Sequence, residues 1–183
     1  KMKPSGADES LVYMLGEAPG EDEDRKGKQF VGVSGQLLRD QIPDEWEEFL
    51  RWNNVIRDRP PKNRKPSPAE IECCRPALIR DIESALPAAI FGFGGTPLDW
   101  AIEDARISLW RGKRFPVRVG SHTCWYYPIY HPSYILRTRR REPDSDSEVG
   151  SELERVFRFD ISHAFADVKA GLPTPKAYSA EEA

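Results

Sequence analysis

Four side chains in this sequence combine useful chemistry with a place beside a glycine, a proline or a strand end: Glu17, Phe30, Asn54 and His131. Glu17 lies in Gly16-Glu17-Ala18-Pro19-Gly20, where glycines let backbone approach a ligand closely. Phe30 stands near Gly27 and Gly32 and offers a stacking plate for a planar base, although a core Phe in a Gly-rich turn fits the same pattern. The stretch Gly32 to Gly35 precedes a helix, so free N–H groups near Ser34 and Gly35 are candidates for holding a phosphate. It is not a Walker loop, because no Gly-Lys-Ser/Thr follows. Asn54 can donate and accept at once, as reading a pyrimidine edge requires, and an Asn there can equally cap its own turn. His131, in His131-Pro132-Ser133-Tyr134-Ile135-Leu136-Arg137, can donate a hydrogen bond to charge developing on a departing group, or be structural.

The elements that must position these groups follow from the pattern. Leu11 to Leu15 reads as a buried strand, and Ser34 can cap a helix opening at Gly35. Glu45 to Trp52 reads as a short helix and Asn54-Val55-Ile56 as a brief strand. Ser67-Pro68-Ala69-Glu70 joins an N-cap, a Pro at the first helical position and an acid three residues after the cap, predicting a helix to about Ala85. Ala88 to Gly94 is a second buried strand, leading through Gly94-Gly95-Thr96 into a helix. Lys113 to Val119 and Thr123 to Tyr127 form a strand pair, and Glu152 to Ala170 an amphipathic helix. Alternating buried strands and helices predict an α/β three-layer sandwich around a mostly parallel sheet, whose ligand sites collect at carboxyl strand ends. The loops after Leu15, Ile56 and Tyr130 are those ends.

At 183 residues the chain is expected to be one domain, with residues 1–10 and 172–183 as flexible ends and 142–150 as an acidic mobile loop. No apolar run reaches the ~20 residues that span a bilayer. Net charge is −3, so bulk charge does not advertise nucleic acid, but base is concentrated at Arg57 to Lys65, Arg111 to Arg118 and Arg137 to Arg141. Arg57, Arg59, Lys62, Asn63, Arg64 and, past His131, Ser133, Tyr134, Leu136 and Arg137 are candidates for a DNA clamp. Ile135 and Leu136, if exposed, would wedge into a vacated base stack. Three cysteines, two of them adjacent, argue against a disulfide framework and for a reducing, cytoplasmic setting.

Three ordered blocks, Gly16 to Gly20 with Gly27 to Leu38, Asn54 to Arg64 with Pro66 to Leu78, and His131 to Arg137, resemble the signature segments of family four uracil-DNA glycosylases. The resemblance implies a central four-stranded parallel sheet and a monomeric hydrolase that releases a free base from DNA. It implies that Glu17 lies beside the sugar and the attacking water, and that the base is held by Gly16, Ala18, Phe30 and Asn54. His131 would stabilise the leaving O2, and the Pro132 to Arg137 loop would enter the minor groove. The aspartate of the best-known uracil-DNA glycosylases would fall at Ala18, so strong general-base help is absent.

The resemblance also implies an iron–sulfur cluster on four cysteines, and here the sequence departs from it. Only Cys74 matches; Asp58 stands where a cysteine is expected, and Asp is a poor substitute for thiolate. The expectation is therefore no cofactor and no metal. Such divergence leaves two alternatives to uracil excision: removal of a bulky glucosylated hydroxymethylcytosine from viral DNA as antiviral defence, or an inactive DNA-binding relative. A covalent adduct with abasic DNA is disfavoured, because Arg57 to Lys65 contains no His.

Overall fold

The computed structural model describes residues 1–141 and 148–176. Its centre is a six-stranded sheet in the order β1-β3-β2-β4-β6-β5. The strands are β1 (Ser5–Gly6), β2 (Val12–Gly16), β3 (Leu50–Asn54), β4 (Ala89–Phe93), β5 (Phe115–Val119) and β6 (His122–Ile129). The four central strands, β3, β2, β4 and β6, are mutually parallel, as expected, and β1 and β5 add an antiparallel strand at each edge.

Side-chain alternation along these strands builds the two outer layers. On β2, Val12 and Met14 face one apolar cluster and Tyr13 and Leu15 the other. The first cluster is covered by α2 (Val33–Arg39) through Leu38, α6 (Pro132–Arg141) through Ile135 and α7 (Glu148–Ala170) through Phe157, Ile161 and Phe165. The second is covered by α3 (Pro68–Ala85) through Leu78 and Ile82, α4 (Gly95–Ala101) through Leu98 and Trp100, and α5 (Ile107–Trp110) through Ile107. A six-residue helix, α1 (Glu21–Lys26), lies in the loop after β2. The predicted cap of α3 is present as a full capping box between Ser67 and Glu70.

Three expectations are corrected. Glu45 to Trp52 is a short 3-10 helix only to Phe49, and β3 begins at Leu50 and ends at Asn54. Hydrogen bonding to β2 and β1 overrides the helical composition there, while Val55 and Ile56 donate their N–H groups to Gly16 and Glu17 carbonyls beyond the strand. The opening ten residues are tied down: Met2 is buried, Ser5–Gly6 pairs with Trp52 and Arg51, and Gln29 bonds to Ser5 and to the Lys3 carbonyl. His131 to Arg137, expected as a loop, is the turn into α6 and its first turns.

Residues 148–150 open α7, whereas 142–147 and 177–183 lie outside the described residues. Leu172 packs on the first apolar cluster, and Trp125 Nε1 donates to the Pro173 carbonyl at 2.8 Å. Among the described residues no helix is long and apolar enough to cross a membrane. Cys73 is exposed, Cys74 half-buried and Cys124 buried, and all three are free.

Candidate active site

Because the central strands are parallel, their carboxyl ends meet along one edge of the sheet. In spatial order they deliver Asn54 at the end of β3, Gly16 and Glu17 from β2, Gly94 to Thr96 after β4, and His131 after β6. A cleft of ≈ 310 Å³ opens there, lined by Glu17, Ala18, Phe30, Asn54 and His131 on the inside and by Ser34, Asn63, Arg64, Ser133 and Arg137 towards the rim. That volume is at the small end for a ligand site and suits a single heterocycle.

Both readings of Phe30 hold together. Its ring packs on Trp52 and Phe93, with centroids 5.3 and 5.7 Å away, and it also lines the cleft. Its backbone is left-handed at φ 53°, held by Arg39, whose guanidinium donates to the Phe30 carbonyl at 2.9 Å and the Gln29 carbonyl at 3.1 Å. Gly16 is required opposite it: a Cβ there would sit 2.3 Å from Asn54 Oδ1 and 2.8 Å from Phe30 Cζ. Gly16 thus lets the plate and the amide share one pocket. Asn54 is buried, and its own N–H is satisfied by the Asn53 side chain at 2.9 Å.

His131 has a defined tautomer. The Ser133 backbone N–H donates to His131 Nδ1 at 3.1 Å, so that nitrogen accepts and the ring proton of a neutral His131 sits on Nε2. Ser133 Oγ lies 2.8 Å from the same Nδ1 and accepts from Arg137 at 3.1 Å, leaving the hydroxyl proton to the imidazole. Burial, with Arg137 nearby, pushes the imidazole pKa down to about 4. At neutral pH the ring is therefore uncharged and presents a single N–H donor. Glu17 accepts a hydrogen bond from Thr96 Oγ1 at 2.5 Å.

The expected DNA-contacting residues divide. Asn63 and Arg64 line one rim of the cleft, with Arg59 and Lys62 in the same turn outside its lining; Lys62 and Asn63 are on left-handed backbone at φ 56° and 53°. Arg59 bonds to Asn63 and Glu21, and Arg64 makes a two-pronged pair with Glu70 at 2.8 Å that holds the Glu70 carboxyl down at about 2. Ser133 and Arg137 form the facing rim, and Tyr134, 41% exposed, lines the recess beside it.

Other residues are placed elsewhere. Arg57 points to the N-terminal segment, where its Nε donates to the Met2 carbonyl at 2.8 Å, and so leaves the clamp. Gly35 is buried under Phe30, where a Cβ would meet the Phe30 carbonyl carbon at 2.2 Å; it serves packing, not phosphate. The Val31 and Gly32 amides are taken by Glu23 Oε1 at 3.0 and 2.8 Å, so the phosphate nest is filled from within. Ser34 does line the cleft. Ile135 is fully buried and Leu136 half-buried, because the helical turn of α6 sends Ile135 inward and Tyr134 and Arg137 outward; neither Ile135 nor Leu136 stands out as a wedge.

Three contributors were missed: Thr96, Glu23 and Arg39. The signal for Thr96 was the Gly94-Gly95-Thr96 turn, which ends a central strand as the other three loops do.

A family model for the uracil DNA glycosylase superfamily matches residues 4–154. The chain belongs to that superfamily. It is 32% identical over 164 residues to a type-4 uracil-DNA glycosylase of Thermotoga maritima, covering 88% of this chain and 79% of that one. It is 34% identical over 157 residues to a type-4 uracil-DNA glycosylase of Archaeoglobus fulgidus, covering 81% and 79%. A third, from Saccharolobus solfataricus, is 34% identical over 139 residues, covering 72% and 64%. The chain is thus an enzyme of the class that hydrolyses N-glycosyl bonds in DNA. Neither excision of a glucosylated cytosine nor a binding-only role gains support from these relatives.

The residues present do not fit the four-thiolate cluster that the family resemblance implies. Cys74 sits half-buried on α3 beside the exposed Cys73. Cys124 is on β6, where burial pushes its thiol up to about 12, so it stays protonated. Among the described residues no three His, Cys, Asp or Glu side chains gather to hold a metal ion.

Proposed function

We propose that this chain excises uracil from DNA, working as a single-domain cytoplasmic monomer on a nucleotide flipped out of the stack. The observation that carries this reading is the fixed Nε2–H of neutral His131 in the same small cleft as Asn54 and Phe30. Phe30 stacks on the base, Asn54 pairs with its polar edge, and Gly16 and Ala18 close the pocket around them. The bond from C1′ to N1 breaks and its electron pair leaves with the base, so negative charge grows on O2. A neutral donor held at that oxygen opposes the charge without having to be deprotonated first. Removing such a donor typically costs ~100-fold or more in rate. The sugar becomes cationic, and Glu17 beside it, together with the DNA phosphates, favours that charge. Water oriented by Glu17 adds to C1′ and gives up a proton to solvent, the departed uracil anion takes one up, and an abasic site and free uracil remain.

The strand would run between the Arg59 to Arg64 rim and the Ser133 to Arg137 rim, with Ser34 on the cleft lining between them. We further propose that no step passes through a metal or iron–sulfur cluster, since Cys74 alone matches the family's ligand positions; visible charge-transfer absorbance in the purified protein would overturn this. The function itself is tested with single-stranded and G-mispaired uracil oligonucleotides, scoring alkali-labile abasic sites and free base by mass spectrometry. Release of uracil from either is expected. No abasic product from either, or release only of a modified cytosine from glucosylated DNA, would refute the assignment.

A further inference from the structure

We propose that Thr96 is the positioning residue for Glu17, holding its carboxylate at the wall of the base pocket; this rests on Glu17 acting beside the reacting sugar. Thr96 is the second residue of α4 and is 1% exposed. It reaches this place because Gly94, at φ +98°, turns the chain sharply out of β4. Its hydroxyl has one proton, and that proton is given to Glu17 Oε2 at 2.5 Å, the short distance of a hydrogen bond to a charged acceptor.

The bond has a positional consequence. Glu17 borders two adjoining cavities: the base cleft, and a recess of ≈ 350 Å³ that shares His131, Ser133 and Arg137 with it and extends to Gly95, Ile107 and Tyr130. A glutamate at a loop start has three side-chain torsions and can swing into either space. Thr96 ties one carboxylate oxygen to α4 and leaves the other for water or sugar. The fold does not need this tie. β2 and β4 are already hydrogen-bonded up to Leu15 and Gly92, and a valine would fill the same volume. Of the two acids lining the cleft, Glu23 already accepts from the Val31 and Gly32 amides, so a buried hydroxyl spent on Glu17 is explained by what that acid does.

The test is single-turnover excision on a uracil oligonucleotide with Thr96→Val, Thr96→Ser, Glu17→Gln and the Thr96→Val/Glu17→Gln double variant. Thr96→Val is expected to slow excision by roughly 10- to 100-fold, the range for a hydrogen bond to a charged group, with DNA affinity unchanged. Thr96→Ser should restore the rate to within about threefold. In the Glu17→Gln background the valine should cost nothing further, because its effect passes through the carboxylate. A wild-type rate in Thr96→Val beside a slow Glu17→Gln overturns the proposal and leaves the role of Glu17 standing. A wild-type rate in Glu17→Gln removes that role and the proposal with it. Losses that multiply in the double variant place Thr96 in the fold and overturn the proposal. Should the valine variant fail to fold, Thr96→Ala carries the same comparison. Independently of activity, the shielded Thr96 hydroxyl proton should give an NMR resonance that shifts in Glu17→Gln; no shift would refute the contact.

Discussion

The neutrality of His131 can be tested by titration. In the folded chain its imidazole titrates at about 4, against 6.5 for the unfolded residue. Burial disfavours the imidazolium, and a proton on Nδ1 would face the Ser133 N–H that already points at it. The group is depressed on folding, so between pH 6.5 and 4 the unfolded chain binds a proton that the folded chain does not. Stability from this residue is therefore complete above about pH 6.5 and is lost as pH falls towards 4. Applying the linkage relation to those two values, the loss between pH 7 and pH 4.5 is roughly 2.5 kcal/mol. His131→Gln keeps an N–H donor and cannot titrate.

Urea unfolding of both proteins at pH 7 and 4.5 isolates the effect, since the carboxylates contribute to both and cancel in the difference. The wild type should lose roughly 2.5 kcal/mol more than the variant. Equal losses would mean that His131 titrates like a solvated histidine, and the argument for a fixed Nε2–H donor would fail. The acid limb of kcat/KM, which reports the free enzyme, should likewise show no His131 inflection near 6.5.

Three further outcomes are expected. Gly35→Ala places a Cβ 2.2 to 2.5 Å from Phe30 backbone atoms, so it should destabilise the fold by about 2 kcal/mol or more and displace the stacking ring, read by urea melts and by excision rate. Asp160→Ala strips the two-pronged partner, at 2.6 and 2.7 Å, from Arg111; with Asp160 buried, about 3 kcal/mol of stability should be lost while excision at 25 °C persists. Lys62→Ala should lower the slope of log affinity against log salt by about 1 without changing which base is released, as one lost phosphate contact would.

Much of the fold was legible because its buried strands are short apolar runs bounded by glycine, and because Ser67-Pro68-Ala69-Glu70 writes a helix start in full. The edges were less so. Ser5–Gly6 has no apolar pattern and becomes a strand only because β3 offers unpaired backbone groups beside it. β3 was misplaced because Glu45 to Glu48 favour a helix locally, while Leu50 and Trp52 are set by neighbours distant in sequence. In the site, Glu17, Asn54 and His131 stand at strand ends, where the chain itself marks them. Thr96 is marked only by the Gly94-Gly95 turn before it; its partner, 79 residues back along the sequence, is not written locally. Arg57 and Gly35 erred in the opposite sense. A basic residue in a basic loop, and a glycine at a helix start, take their meaning from the nearest neighbour, here the Met2 carbonyl and the Phe30 backbone.

The division of labour across the sheet explains why so small a pocket suffices. Adjacent parallel strands lie roughly 5 Å apart, so four consecutive ends span about 15 Å, enough for a base, its sugar and the bond between them. On the proposed function, the order β3-β2-β4-β6 becomes a chemical order: Asn54 for the polar edge of the base, Glu17 with Thr96 in the middle, and His131 at the far end. Asn54, Glu17, Thr96 and His131 each stand at or just past the end of a different strand, and Phe30 joins them from the loop between α1 and α2. The rigidity of the sheet does the work that reorganisation would otherwise require during bond cleavage. That arrangement also dictates what the pocket must exclude. A charged imidazole would already be stabilised by water before the base departs, whereas a dry, neutral donor gains most when the anion forms. On the proposed mechanism, the depressed pKa of His131 and the close approach of Gly16 to Asn54 and Phe30 serve that one end: a neutral donor beside a closely packed base pocket.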